Sequence, residues 1–240
     1  MTRILHIDTA TQACSAAISD DLELVAMRES HINKTHATLL TVFIEELLRE
    51  ARIKPAELDA IAVSKGPGSY TGLRIGVSTA KGLAYGSGLP LIAVNTLESM
   101  ARGMANLLPE YGIPDGSNYF LCPMIDARRM EVYRMVLDAH FRIIRKTEAE
   151  IIHENSFNDM YSKGKVLFFG SGASKCQDLL NHKNAILISG FQNSAKDLIP
   201  LALEHYKKKM FEDVAYFEPY YLKDFVATIP KNKLHDSGGA

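Results

Sequence analysis

The chain has 240 residues, 47% of them hydrophobic, with a formal net charge of -1; that suits one large core or two smaller ones and argues against a surface that binds nucleic acid strongly unaided, which needs a basic excess. Cys14, Cys122 and Cys176 are far apart and lack CxxC spacing, which excludes a disulfide framework and a cysteine zinc site. The apolar patch before Asp8 is too short for a signal sequence and no run approaches a membrane span, so a cytoplasmic protein without membrane contact is expected.

Residues 3–7, 14–18 and 22–27 are apolar runs separated by short polar turns, a three-stranded meander with Asp8 at the end of its first strand. Residues 33–52 read as a helix, with Asn33 or Thr35 as N-cap and Pro55 just beyond its end. Its apolar positions, among them Leu40, Phe43 and Leu47, cover about half the circumference, wider than one packed face needs, which suggests a side left for a partner.

Residues 58–63 are a buried strand that runs into Ser64-Lys65-Gly66-Pro67-Gly68-Ser69-Tyr70-Thr71-Gly72-Leu73-Arg74-Ile75-Gly76, four glycines and a proline at the mouth of a helix. The stretch departs from the phosphate-loop pattern, because Leu73 and Arg74 follow Gly72, and from the dinucleotide pattern, because its glycines are one residue too widely spaced. In the helix, Gly72, Gly76, Ala80, Ala84 and Gly88 recur every fourth residue, a ridge of small side chains that lets another helix come close. Tyr70, Gly72, Leu73, Gly76, Ala80, Leu83 and Ala84 therefore join Leu40, Phe43 and Leu47 as candidates for a partner interface.

A strand over 90–94 and a helix from Asn95 to about Leu107 complete the first half. Pro109, Gly112, Pro114, Asp115 and Gly116 mark a junction, giving lobes of 1–108 and 109–240, the last segment packing back on the first lobe and the tail from about 230 mobile. The second half repeats the opening in outline: strands over 119–125, 130–137 and 141–145, with Asp126 after the first. A strand over 166–169 runs into Gly170-Ser171-Gly172 and a helix to about Leu180; a strand over 185–188 and a helix over 194–209 follow. Two such halves give an α/β protein with the layout of the actin-like ATPase (ribonuclease H-like) fold, two similar lobes each with a mixed sheet flanked by helices.

In that layout Asp8 and Asp126 face one another across a cleft, where paired carboxylates hold Mg²⁺ and a nucleotide, with Thr9, Thr11, Gly170 and Gly172 as further candidates for close approach. Ala10 stands where related ATP binders have glycine, which weakens phosphate binding, and Arg128 and Arg129 beside Asp126 offer it an ion pair. His31 and His36 are five apart, off the spacing that aligns two ligands on a helix, so no metal site is assigned. Ser69 lacks the G-x-S-x-G elbow, and no catalytic residue is assigned.

Ile7-Asp8-Thr9-Ala10-Thr11, the long glycine motif, Asp126-Ala127-Arg128-Arg129-Met130-Glu131-Val132-Tyr133 and Glu218-Pro219-Tyr220-Tyr221-Leu222 together resemble the TsaB (YeaZ) family across nearly the whole chain. The resemblance implies a non-catalytic scaffold subunit of the bacterial machinery that transfers threonylcarbamoyl to adenosine 37 of tRNA, binding a TsaD-type catalytic subunit. A TsaE-type ATPase in the same complex, a homodimer when the chain is alone, and tRNA contact only through the complex are further implications. So is an interface built from the first two helices. Where the catalytic sister carries two metal-binding histidines in a motif like N-H-L-E-G-H, this chain has Asn95-Thr96-Leu97-Glu98-Ser99-Met100, and neither Thr96 nor Met100 replaces an imidazole. No cofactor of its own is expected, with ATP and Mg²⁺ held weakly or at a partner interface. The alternatives are a stand-alone ATP-dependent phosphotransferase and a metalloprotease of the glycoprotease type.

Overall fold

The computed structural model describes residues 1–32, 35–113 and 118–223. The apolar runs of the first half form β1 (Arg3–Asp8), β2 (Cys14–Asp20) and β3 (Glu23–Ser30) as an antiparallel meander, followed by α1 (His36–Ala51). β4 (Ala60–Gly66) pairs parallel to β1, and β5 (Leu91–Asn95) parallel to β4 after α2 (Tyr70–Ser87). The second half repeats this with β6 (Tyr119–Asp126), β7 (Glu131–Asp138) and β8 (Ile143–Ile151) as the meander. α3 (Thr96–Ala105) precedes that meander, and α4 (Asn158–Tyr161), β9 (Lys165–Phe169), α5 (Ser171–Lys175), β10 (Ala185–Ile188) and α6 (Ile199–Lys207) follow it. The described residues thus make two five-stranded mixed sheets, ordered β3-β2-β1-β4-β5 and β10-β9-β6-β7-β8, and read from meander to parallel edge the two orders match strand for strand.

Side-chain alternation divides each sheet into two buried faces. On the first sheet Leu5, Ile7, Ile18, Ile61 and Leu91 meet Leu40, Ile44 and Leu47 of α1 and Val77, Ala80 and Ala84 of α2. The opposite face carries Ile4, Ala60, Ala62, Ile92 and Val94 and is covered by Leu198, Leu201 and Ala202, so a helix from the end of the chain completes the first lobe. In exchange α3 sets Leu97, Met100, Ala101 and Met104 against Leu121, Ile125, Leu137 and Leu167 of the second sheet. The outer face of that sheet packs Phe120, Cys122, Met124 and Phe168 under Phe157, Met160 and Tyr161. All three cysteines are free and buried.

Several boundaries differ from the sequence reading for local reasons. α1 begins at His36, its N-cap position Thr35 makes no side-chain cap, and Asn33 lies outside the described residues. α2 starts at Tyr70, because the Ser69 hydroxyl accepts from the Gly72 N–H at 3.3 Å. Gly88 ends the helix at φ 64° and is a cap, not a ridge member. The third strand of the second meander starts at Ile143, after Phe141 takes a positive φ, and runs on to Ile151. The expected helix to Leu180 breaks after α5 into a short 3-10 turn, Gln177–Leu179, and the expected helix from Ser194 opens with a 3-10 turn, Ala195–Leu198, before α6 proper starts at Ile199. Of the junction residues, Pro114, Asp115 and Gly116 lie outside the described residues, as does the tail from about 230.

Candidate functional site

β1 ends by burying Asp8 completely. Its Oδ1 accepts the Ala10 N–H at 2.9 Å and its Oδ2 accepts from Asn193 Nδ2 at 2.8 Å. Burial pushes the carboxyl above the usual aspartate range, against which these hydrogen bonds and the nearby His36 work. Thr11 Oγ1 donates to the other end of the same amide, Asn193 Oδ1, at 2.5 Å. Thr9 Oγ1 donates to the Gly72 carbonyl at 2.7 Å.

The glycine loop closes directly on this turn. The Ser69 N–H donates to the Ala10 carbonyl at 2.6 Å. A Cβ on Gly68 would collide with Ala10, one on Gly72 with the Thr9 carbonyl, and one on Gly76 with Thr9 Oγ1. Three of the four glycines in the stretch therefore admit the chain's own β1 turn. The fourth, Gly66, has φ +115°, and a Cβ there would lie 2.7 Å from the Tyr220 carbonyl.

That carbonyl belongs to a strap that follows α6 and is held to β5, to Lys81 of α2 and to the glycine loop. Glu212 bridges to Leu91, Lys81 Nζ donates to the Phe217 carbonyl at 2.8 Å, and Phe217 is buried in the core of the first lobe. The Tyr220 N–H donates to the Lys65 carbonyl at 2.7 Å, and Tyr221 lies against Tyr70 with ring centroids 4.9 Å apart. Lys223 then pairs with Glu131 of β7. The strap ties the glycine loop to the second lobe, and a crevice of about 40 Å³ remains among Pro67, Tyr70, Tyr133, Tyr220 and Tyr221, room for little more than a water.

Asp126 does not join Asp8 in one open cleft. It is exposed where Asp8 is wholly buried, and it pairs with Lys175 at 2.5 Å; Arg128, expected to neutralise it, supplies only its backbone N–H, at 2.8 Å. Gly170 and Gly172 pack α5 onto β6, since a Cβ at Gly170 would collide with the Met124 carbonyl and one at Gly172 would lie 3.0 Å from Ile125.

The interface candidates divide in two. Leu40, Leu47, Gly72, Leu73, Gly76, Ala80 and Ala84 are buried inside the chain, because the small-residue ridge of α2 faces β1 and β4. They have no surface to offer a partner, a correction to the sequence reading. Phe43, Tyr70 and Leu83 are half-buried. The outer surface of the two helices is made of residues the periodicity pointed away from: Val42 on α1, and Ser78, Gly82, Tyr85 and Gly86 on α2, with nothing within 4 Å of a Cβ built on Gly82 or Gly86.

Thr96 and Met100, at the positions compared with a histidine pair, are both fully buried. Thr96 Oγ1 shares a 2.7 Å hydrogen bond with Ser64, and Met100 sits in the apolar layer between α3 and the second sheet. Among the described residues no group of three or more His, Cys, Asp or Glu side chains is placed to hold a metal ion, and no helix is long and apolar enough to cross a membrane.

The residues that sequence reasoning missed lie just before α6. Asn193 holds the Asp8 turn, Ser15 Oγ accepts the Ala195 N–H at 3.0 Å, and Ser194 donates to Glu29 at 2.9 Å. Asp197 accepts the Ser194 N–H at 3.0 Å, and burial raises its pKa to about 7. The sequence reading starts a helix at Ser194, and the Ser194-x-x-Asp197 spacing is a capping-box signal that could have given these two side chains their role there. Asn193 carries no comparable local signal.

The family model described as TsaD, tRNA N6-adenosine threonylcarbamoyltransferase, matches residues 30–231. The TsaB protein of Escherichia coli (strain K12), named for tRNA threonylcarbamoyladenosine biosynthesis, is 33% identical over 234 residues, which span 94% of this chain and 96% of that protein. The structure of YeaZ from Pseudomonas aeruginosa superposes with a TM-score of 0.79 at 25% identity, over 92% of this chain and all of that one. The polyphosphate/ATP-glucomannokinase of Arthrobacter sp. strain KM superposes with a TM-score of 0.51 at 10% identity over 87% of this chain, a likeness of fold alone. With a full-length match in sequence and in fold, the chain belongs to the TsaB (YeaZ) family, on the actin-like ATPase and sugar-kinase fold.

Proposed function

We propose that this protein is the non-catalytic subunit of a complex that transfers threonylcarbamoyl to adenosine 37 of tRNA, and that it acts by binding a TsaD-type catalytic subunit. The observation that carries this reading is the 33% identity to a TsaB protein over nearly the full length of both chains. The burial of Thr96 and Met100 supports the absence of catalytic chemistry, because neither side chain is a good metal ligand and neither faces an opening. The same observation disfavours the metalloprotease alternative.

A nucleotide of its own does not fit the residues at the Asp8 turn. Both oxygens of Asp8 are already hydrogen-bonded to the protein, and Gly68 and Ser69 occupy the space over Ala10 where a phosphate would approach. This disfavours a stand-alone phosphotransferase and leaves nucleotide, if any, to a partner interface or to a TsaE-type ATPase in the complex.

The docking surface is the outer side of α1 and α2, where Val42 and Tyr85 are exposed and Gly82 and Gly86 leave room for a helix to approach closely. In the absence of the catalytic subunit a second copy occupies the same face as a homodimer. The test is reconstitution of tRNA modification from purified subunits with and without this chain, beside Gly82→Leu. Modification is expected only with the wild-type chain, and Gly82→Leu should lose co-elution with the TsaD-type subunit while keeping its thermal unfolding. Equal modification without the chain overturns the reading.

A further inference from the structure

The connection from β6 to β7 carries two consecutive arginines, Arg128 and Arg129, at φ +68° and +52°. This is backbone that glycine and asparagine adopt readily and long side chains rarely do. Both arginines are exposed. Each of the two carboxylates beside them is already matched by a lysine from elsewhere in the fold: Asp126 by Lys175 of α5 at 2.5 Å, and Glu131 by Lys223 of the strap. Among the described residues neither Arg128 nor Arg129 has a carboxylate partner. Among the described residues, four cations against two carboxylates leave the hairpin tip with two positive charges, on a chain whose formal net charge is -1.

We propose that Arg128 and Arg129 form a phosphate-binding tip that holds the RNA backbone when tRNA is bound to the assembled complex. The inference rests on the tRNA-modifying role proposed above. Guanidinium forks match phosphate oxygens in pairs, and two of them side by side on a hairpin can grip neighbouring phosphates. The lysines keep the chain's own carboxylates from competing for them. Both guanidinium groups stand on an exposed tip with no base-sized pocket among Pro67, Tyr70 and Tyr133 beside it, and a contact of this kind to phosphates is independent of sequence. Two phosphate contacts are too few for tight binding by the isolated chain, in keeping with its net charge, and they add to the affinity of the complex.

The experiment measures binding of unmodified tRNA to the reconstituted complex over a salt series, with wild-type chain, Arg128→Asn/Arg129→Gly and Arg128→Lys/Arg129→Lys. The Asn/Gly variant is expected to bind about fivefold or more weakly at 0.1 M salt, and its slope of log affinity against log salt should be shallower by roughly 1.4–1.8. The Lys/Lys variant should keep the slope and lose part of the affinity. Melting of the isolated Asn/Gly chain should stay level or rise by roughly 2–4 °C per position relieved of positive φ. Unchanged affinity and slope overturn the proposal. So does a variant that fails to assemble while each complex that does form binds tRNA normally, which would make the tip a protein contact. A fall in melting temperature alongside the lost binding would make the arginines structural and also overturn it. Modification of tRNA by the wild-type complex reports separately on the functional reading.

Discussion

Asp8 and Asn193 stand 185 residues apart in the chain and share a buried hydrogen bond of 2.8 Å. The bond joins the end of the first strand to the turn that leads into α6, so the aspartate that the sequence reading set across a nucleotide cleft holds α6 on the first lobe. Asn193 serves two groups at once, donating to Asp8 and accepting from Thr11.

Asn193→Ala removes both bonds and leaves the buried Asp8 Oδ2 without its amide donor. The cost expected is about 2–3 kcal/mol, the desolvation penalty of an abandoned buried acceptor added to the lost bonds. Equilibrium unfolding in urea measures it. Asn193→Asp should cost more at pH 8 than at pH 5, because it sets a second carboxyl against Asp8.

Gly76 and Gly82 lie on the same helix, six residues apart, and should respond in opposite directions. A methyl group at Gly76 collides with Thr9 Oγ1, so Gly76→Ala is expected to lower stability by about 1–3 kcal/mol. Gly82 has open space around its missing Cβ, and Gly82→Ala should raise stability by about 0.5–1 kcal/mol through helix propensity alone. Thermal unfolding of the two isolated variants decides the matter. A stable Gly76→Ala protein would show that the α2 ridge does not pack on β1 as described.

Asp197 makes stability depend on pH. Its pKa rises from 3.8 to about 7 in the folded protein because it is buried, with Asp8 and Glu29 nearby adding to the rise and Lys196 and the Ser194 N–H opposing it. A carboxyl raised on folding favours the native state fully below about pH 4, and that advantage is lost as pH rises through 7. His6 works the other way: burial lowers it to about 3, so its contribution is lost as pH falls below 6.5. Subtracting the stability of Asp197→Asn from that of wild type removes the His6 part. The difference should fall by on the order of 2–3 kcal/mol between pH 5 and pH 8. A difference that stays level over that range would show that Asp197 is ionised throughout.

The strands, the two aspartates and the glycine-rich mouth of α2 were legible because each is a local signal: an apolar run, a residue ending it, a set of small residues in one stretch. What the glycines face was not. Gly72 meets Thr9 across 63 positions of sequence, and a four-residue repeat of small side chains looks the same whether its neighbour is another subunit or the chain's own turn. The breadth of the α1 apolar face misled for a similar reason, since Leu40 and Leu47 are taken up by the first sheet while Val42 stays outside. Asn193 left no trace because a single asparagine in a loop has no pattern. Lys175 and Lys223 reach Asp126 and Glu131 from distant segments, whereas Arg128, adjacent in sequence, does not pair.

The strap offers the last prediction. Phe217 is its buried anchor, and Lys81 holds the backbone on either side of that ring through the Ala215 carbonyl at 3.2 Å and the Phe217 carbonyl at 2.8 Å. Phe217→Ala removes the anchor at a cost of about 3 kcal/mol or more. The strands of the first sheet keep their own hydrogen bonds, so the loss should concentrate in the strap and in the glycine loop that it covers. Hydrogen exchange should therefore quicken at the Tyr220 N–H, bonded to Lys65, and at the Glu212 N–H, bonded to Leu91. Amides of β1 paired with β2 should exchange at the wild-type rate relative to one another and stay slow. Uniformly faster exchange across the first lobe would mean that the strap and the sheet unfold as one unit, and that the glycine loop is held by the Asp8 turn alone.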